Sequence, residues 1–338
     1  MPQAAWTASQ AGWSLTPAGL LDTAVYAIPM RSRFRGITVR EGVLVRGASG
    51  WGEFSPFWDY DVVEARRWWP ATVEAAVGDW PSPLRDQIPV NCTVPAVDAE
   101  TAGVIVGRSG CRTAKVKVAE PGQSLADDVE RVAAVRAALG PAGAVRVDAN
   151  GAWSVDNAVR AIGELDRAAG GLEYVEQPCA SVAELAAVRR RVDVPIAADE
   201  SIRRAEDPLH VALAGAADIA VLKVAPLGGV RRALEIAQAC GLPVVVSSAL
   251  ETSVGLAAGV ALAAALPELP YACGLATTAL LDGDVTAQPL VPVDGFLPVR
   301  PVNADLLADV AADEATTRRW HQRLAAVTGL ALGPVRQA

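Results

Sequence analysis

Lysine is almost missing from this chain of 338 residues: of its 30 basic residues 27 are arginine, and only Lys115, Lys117 and Lys223 are lysine. Histidine is scarcer still. Neither His210 nor His321 follows an apolar run that reads as a strand, which disfavours histidine-based acid–base or metal chemistry. The five cysteines (Cys92, Cys111, Cys179, Cys240, Cys273) are odd in number and form no CxxC pair. That argues against a disulfide framework or a zinc site and fits a reducing, cytoplasmic setting. A basic face is lacking too, since the net charge is -8, and this argues against a nucleic-acid partner. The longest apolar run, Val254 to Leu266, has 13 residues, too few to span a bilayer, and the N-terminus lacks a basic segment leading into an apolar core. Neither membrane insertion nor export is expected.

What is present is ample apolar material: 51% of residues are hydrophobic and 20% charged, an ordinary balance for a globular enzyme. Short apolar runs alternate with amphipathic stretches. Eight candidate strands cover 88–94, 113–118, 145–150, 172–177, 196–201, 218–224, 243–248 and 271–276. Ser124 with Asp127, and Ser181 with Glu184, predict capped helix starts after the second and fourth of these. Asp207-Pro208 predicts another start, and Gly241 a stop. Strand and helix alternating at about 25-residue spacing predict an α/β protein, a (β/α) barrel of modified TIM type over 88–282. An open doubly wound sheet is the second choice, weakened because no GxGxxG follows the first strand. Residues 1–87 read as strand-like runs followed by a Trp-rich helix, and 283–338 as a Pro-rich segment ending in a helix. Together these predict an α+β capping domain built from both chain ends.

Strands of a parallel barrel are covered on both faces, so charged residues inside them need a reason. Asp148, Glu176 and Asp199 end three successive candidate strands, at intervals of 28 and 23 residues. They therefore sit at the C-terminal rim, where barrel active sites form. A set of oxygen ligands with no histidine or cysteine suits a hard cation, Mg²⁺ first and Mn²⁺ as an alternative. Lys115 and Lys117 lie two apart on one strand face, about 7 Å from each other, and repel by roughly 2.4 kcal/mol. Repulsion disfavours the protonated form, so one of them is expected to be a usable base near neutral pH, which arginine cannot be. A lysine base beside a metal held by three carboxylates points to abstraction of a proton α to the carboxylate of a small-molecule substrate.

The ordered set KVK, VDAN, EQP, ADES and LKV, with GWGEFSPF before it and PLGG after Lys223, resembles the enolase superfamily in its muconate-lactonising subgroup. MRSRFRG, SSALETSVGLA and VPVDGFLPV are similar to segments of the actinobacterial o-succinylbenzoate synthases of menaquinone biosynthesis. The resemblance implies a lyase that dehydrates 2-succinyl-6-hydroxy-2,4-cyclohexadiene-1-carboxylate. It implies Lys117 as the base, whose conjugate acid then protonates the departing hydroxyl, Lys115 tuning Lys117 and contacting the carboxylate, and Lys223 charged on the opposite face. Asp148, Glu176 and Asp199 become the metal ligands, with Asn150 and Glu200 beside them.

The same lysines would also serve a racemase of N-succinylamino acids or a dipeptide epimerase; CGLATT lacks the acidic DxD-type pattern expected of the latter. A Schiff base on Lys223, or a barrel kept only as a scaffold, leaves the other lysines and the carboxylates unexplained. Ser247, Ser248, Leu250, Thr252 and the stretch from Gly274 to Thr277 are the candidates for substrate contact, with Arg31, Arg33 or Arg35 for the succinyl carboxylate. Nothing in the sequence sets an oligomeric state.

Overall fold

The computed structural model describes residues 20–203 and 209–329. The helix start expected at Asp207-Pro208 lies outside them. The described residues open with β1 (Leu20–Phe34), β2 (Ile37–Gly47) and β3 (Trp51–Phe54), an antiparallel meander ordered β1-β2-β3. Phe34 pairs with Ile37 across a two-residue turn in which Arg35 (φ 49°) and Gly36 (φ 78°) are both left-handed, the geometry that matches strand twist in a tight hairpin. Helices α1 (Val62–Arg66) and α2 (Trp69–Val77) follow, and α2 packs on this sheet. The approach of α2 is close: a Cβ at Gly52 would lie 2.0 Å from the Thr72 carbonyl oxygen. From the other chain end, α12 (Glu314–Thr328), whose N-cap Asp313 accepts from Thr316 N, inserts Trp320, Leu324 and Val327 into a core shared with Phe54, Trp68 and Trp69. The aromatic pairs there meet edge to face, as their quadrupoles favour.

The barrel begins with a correction to the first expected strand. Residues 88–94 divide into β4 (Gln87–Pro89), which pairs antiparallel with β12 (Phe296–Pro298), and β5 (Cys92–Val94), which enters the main sheet. That sheet is parallel throughout and runs in sequence order through β6 (Thr113–Lys117), β7 (Ala144–Asp148), β8 (Tyr174–Glu176), β9 (Ile196–Ala198), β10 (Ile219–Leu222) and β11 (Val244–Val246). The crossovers are α3 (Ala99–Ser109), α4 (Leu125–Leu139), α5 (Val155–Ala169), α6 (Val182–Arg189), the short α7 (Glu200–Arg203) and α8 (His210–Leu213), then α9 (Val224–Leu227) and α10 (Val230–Cys240). The expected capping box Ser181/Glu184 starts α6, the helix start expected at Ser124 is also a capping box, closed by Asp127 at the head of α4, and Gly241 ends α10 in the left-handed conformation.

The eighth expected strand, 271–276, forms no strand. Cys273 bridges Val90 and Gly274 bridges Ser247, both parallel, so two residues link the two edges of the seven-stranded sheet. Gly274 is held so near its neighbour that a Cβ there would lie 2.6 Å from Ser247 Oγ. Between β11 and this link runs α11 (Ser253–Ala265), the apolar run of the sequence, buried on nearly every side because it packs against β3, β4, α9 and α10 at once. No helix among the described residues is long and apolar enough to cross a membrane.

Candidate active site

Register builds the site. Lys117 pairs with Asp148 and Asp148 with Glu176 across three adjacent strands, and Lys115 lies one inward-facing step below. Lys115 Nζ donates to both oxygens of Glu176 at 2.9 and 2.8 Å and lies 3.5 Å from Asp148 Oδ2. Lys117 Nζ donates to the same Asp148 oxygen and to Asn150 Oδ1, each at 2.5 Å. Lys223, which follows β10 four strands round the sheet, donates to Asp199 Oδ2 at 2.7 Å. All three lysines of the chain thus meet the three rim carboxylates. Asn150 also donates to Glu200 Oε1 at 3.2 Å, tying the fourth carboxylate to the cluster.

Asp148, Glu176 and Asp199 are fully buried, and repulsion between carboxylates shows in the acidity of Glu176. Burial and then the Asp148 charge push Glu176 up to about 7. Burial also acts upward on Asp148, but Lys117 and Lys115 overcome it and hold that carboxyl at about 2. The expected lowering of the lysine pair is overturned for Lys115. Burial opposes its charge, yet Glu176 and Asp148 outweigh both burial and any repulsion between the amines, and its pKa is raised. Among the described residues no three His, Cys, Asp or Glu side chains are gathered as around a bound ion; each of the three rim carboxylates is paired with an ammonium. The donors still suit a hard dication: three buried carboxylates on adjacent strands, all oxygen, with Glu200 making four negative groups against three ammoniums.

Two residues of the same motifs take left-handed backbone, Asn150 (φ 48°) and Gln177 (φ 41°). Gln177 was not singled out from the sequence. Its Oε1 accepts from the backbone N–H of Asp199 and Ser201 at 3.0 and 3.2 Å, and its Nε2 donates to the Cys179 carbonyl and Ser201 Oγ, which orients the Asp199 peptide. Its place in EQP, directly after a strand-end carboxylate, was the available signal.

Above this floor a cavity opens between cap and barrel. Lys117 and Lys223 reach it with 16% and 12% of their side chains exposed, so both amines are accessible to a ligand. On the barrel side Ser247, Ser248, Leu250, Gly274 and Thr277 line it, Thr277 Oγ1 lying 2.6 Å from Ser248 Oγ, whereas Leu275 and Ala276 of the same candidate stretch are buried and do not. Two expected contacts are corrected. Thr252 is wholly buried behind that wall, where it caps α11 and donates to Glu53 Oε2 at 2.6 Å. Arg31 is outside the cavity, donating to the Leu281 carbonyl with Asp282 3.9 Å away, because the neighbouring Met30 bridges Leu281 and draws that part of β1 against it. The arginine at the cavity is Arg35 in the hairpin turn, stacked 4.0 Å from the Phe57 ring centroid. Phe34, Phe57, Tyr60 and Trp68 complete the cap side. The clustering of aromatics over residues 54–69 hints at the last three, and nothing in the sequence at Phe34.

Comparison with known proteins bears on this arrangement. Residues 98–304 match the family model described as enolase C-terminal domain-like, and residues 25–76 the one described as enolase N-terminal domain-like. The o-succinylbenzoate synthase of Thermobifida fusca is 69% identical over 303 residues, covering 89% of this chain and 94% of that protein. The o-succinylbenzoate synthase of Mycolicibacterium smegmatis is 59% identical, covering 90% and 95%. Among solved structures, the L-Ala-D/L-Glu epimerase of Bacillus subtilis superposes with a TM-score of 0.70 at 24% identity, covering 84% of this chain and 96% of that one. Muconate cycloisomerase of Pseudomonas fluorescens gives 0.69 at 23%, covering 86% and 98%; at such identities these two show the shared fold alone. With the superfamily model matched over more than half its length and relatives this similar along nearly all of it, the chain belongs to the enolase superfamily, among its o-succinylbenzoate synthase lyases.

Proposed function

We propose that the chain dehydrates 2-succinyl-6-hydroxy-2,4-cyclohexadiene-1-carboxylate to o-succinylbenzoate, in the cytoplasm, as a step of menaquinone biosynthesis. The observation that carries this reading is the convergence of its only three lysines on Asp148, Glu176 and Asp199 at the floor of one cavity. Lys117 removes the proton α to the ring carboxylate, and the same nitrogen, now protonated, donates to the departing hydroxyl. Water leaves from the face that lost the proton, and the ring becomes aromatic. Lys223, entering from the opposite side of the barrel, stays charged and stabilises the negative charge that develops between the two proton transfers. Lys115, deeper and fully paired, holds Glu176 and Asp148 in place.

Asp148, Glu176 and Asp199 would hold a divalent cation, Mg²⁺ or Mn²⁺, with Asn150 and Glu200 as their neighbours. When bound, that cation supplies a fixed charge that neutralises the carboxylates, disfavours a proton on the nearby amines and stabilises charge on the substrate carboxylate. Ser247, Ser248, Leu250 and Gly274 would form the barrel side of the pocket for the succinyl arm, and Arg35, which lines the same cavity, would meet its carboxylate.

The test supplies the cyclohexadiene with Mg²⁺ and follows aromatic product by ultraviolet absorbance, with N-succinylamino acids assayed in parallel. Aromatisation is the expected result. Racemisation without aromatisation would overturn the assignment.

A further inference from the structure

We infer that Arg40 is a positioning residue that locks the cap wall and the barrel wall of the cavity into one register and thereby sets substrate affinity; this rests on the dehydratase reading above. Arg40 lies on β2 and is 2% exposed. Its Nε donates to the Leu250 carbonyl at 2.8 Å, and its Nη2 to the Ala249 carbonyl at 3.3 Å and to the Ser55 carbonyl and hydroxyl at 2.6 and 2.9 Å. Its guanidinium also stands 4.6 Å from the Phe57 ring centroid. Ala249 and Leu250 line the cavity from the barrel, and Phe57 lines it from the cap. One buried cation therefore touches both walls from behind.

Leu250 needs such a hold. Its φ of 67° is left-handed, a conformation that costs a leucine about 1–2 kcal/mol and persists only where the surroundings enforce it. Arg40 fixes the carbonyl of this residue, while Ser248 Oγ accepts from its N–H at 3.2 Å and Glu251 accepts from the preceding N–H at 2.6 Å. A planar fork of five donors can serve carbonyls on two elements at once while its face rests against the Phe57 ring, a combination a compact ammonium does not offer. The wall that faces the ligand is thus placed by a residue that never touches it.

The experiment measures kcat, KM and the calorimetric Kd for o-succinylbenzoate in Mg²⁺-loaded wild type, Arg40→Ala and Ser55→Ala. In Arg40→Ala, KM and Kd should rise about tenfold or more while kcat stays within about threefold, since the walls shift but the lysines do not. Millimolar guanidinium should restore most of that affinity and leave wild type unaffected. Ser55→Ala keeps the cation and removes one of its partners; it should raise Kd by about threefold, and it tests the idea even if Arg40→Ala fails to fold. Unchanged affinity in either folded variant, or guanidinium restoring thermal stability without affinity, would overturn the assignment of Arg40. Wild type that neither binds nor turns over would overturn the function on which it rests.

Discussion

Lys115 Nζ sits between the two carboxylate oxygens of Glu176, 2.9 and 2.8 Å away, with both side chains buried inside the barrel. Removing one partner of such a pair leaves the other charge uncompensated. Lys115→Met should therefore destabilise the fold by about 3–5 kcal/mol, read from urea unfolding. A variant as stable as wild type would mean that Glu176 is satisfied without Lys115.

Metal affinity follows from the excess of carboxylate over ammonium at the same place. Mg²⁺ added to chelator-treated protein should raise the thermal unfolding midpoint in a saturable way, since a ligand of the native state stabilises it by mass action. Asp148→Asn should remove the response. A midpoint indifferent to Mg²⁺, or equal responses in both proteins, would separate the carboxylates from metal binding.

A second pair of acids gives a pH prediction away from that centre. Burial, and then the charge of Glu53, push the Glu251 carboxyl up to about 7, with Arg40 acting against them. Glu251 then keeps its proton in the fold at pH values where the unfolded chain has lost it. Its contribution to stability is present below the ordinary carboxylate range and is lost as pH rises toward 7, by up to about 3 kcal/mol. Glu251→Gln, whose amide oxygen can still accept from Ala249 N, should escape that loss. Its unfolding free energy relative to wild type should climb between pH 4.5 and 7. Parallel pH profiles would show that Glu251 is ionised throughout.

Strand ends, capping boxes and the lysine–carboxylate arc were legible in the sequence because each is a local pattern: a buried strand tolerates no charge without a reason, and Ser124 and Ser181 announce their helices. What depends on distant chain was not legible. The 271–276 run looks like a strand but contributes only Cys273 and Gly274 as bridges, since closing the sheet needs no more pairing than that. Thr252 reads like a pocket hydroxyl, yet Glu53, 199 residues earlier, draws it behind the wall. Arg40 looks like one more surface arginine in ITVREGV until the cap is laid over the barrel. For Lys115 the repulsion expected from Lys117 is outweighed by Asp148 one strand away and Glu176 two strands away, partners that a pairwise argument along one strand does not see.

The reaction proposed for this cavity needs the Lys117 amine as its base. The direct measurement is the rate of aromatic product formation by Lys117→Arg, with Mg²⁺ and the cyclohexadiene substrate, beside wild type. The charge and the contact to Asp148 survive in arginine, but a deprotonatable nitrogen does not, so the variant should fold, respond to Mg²⁺ and lose activity by about a thousandfold or more. Turnover within about tenfold of wild type would show that another group takes the proton.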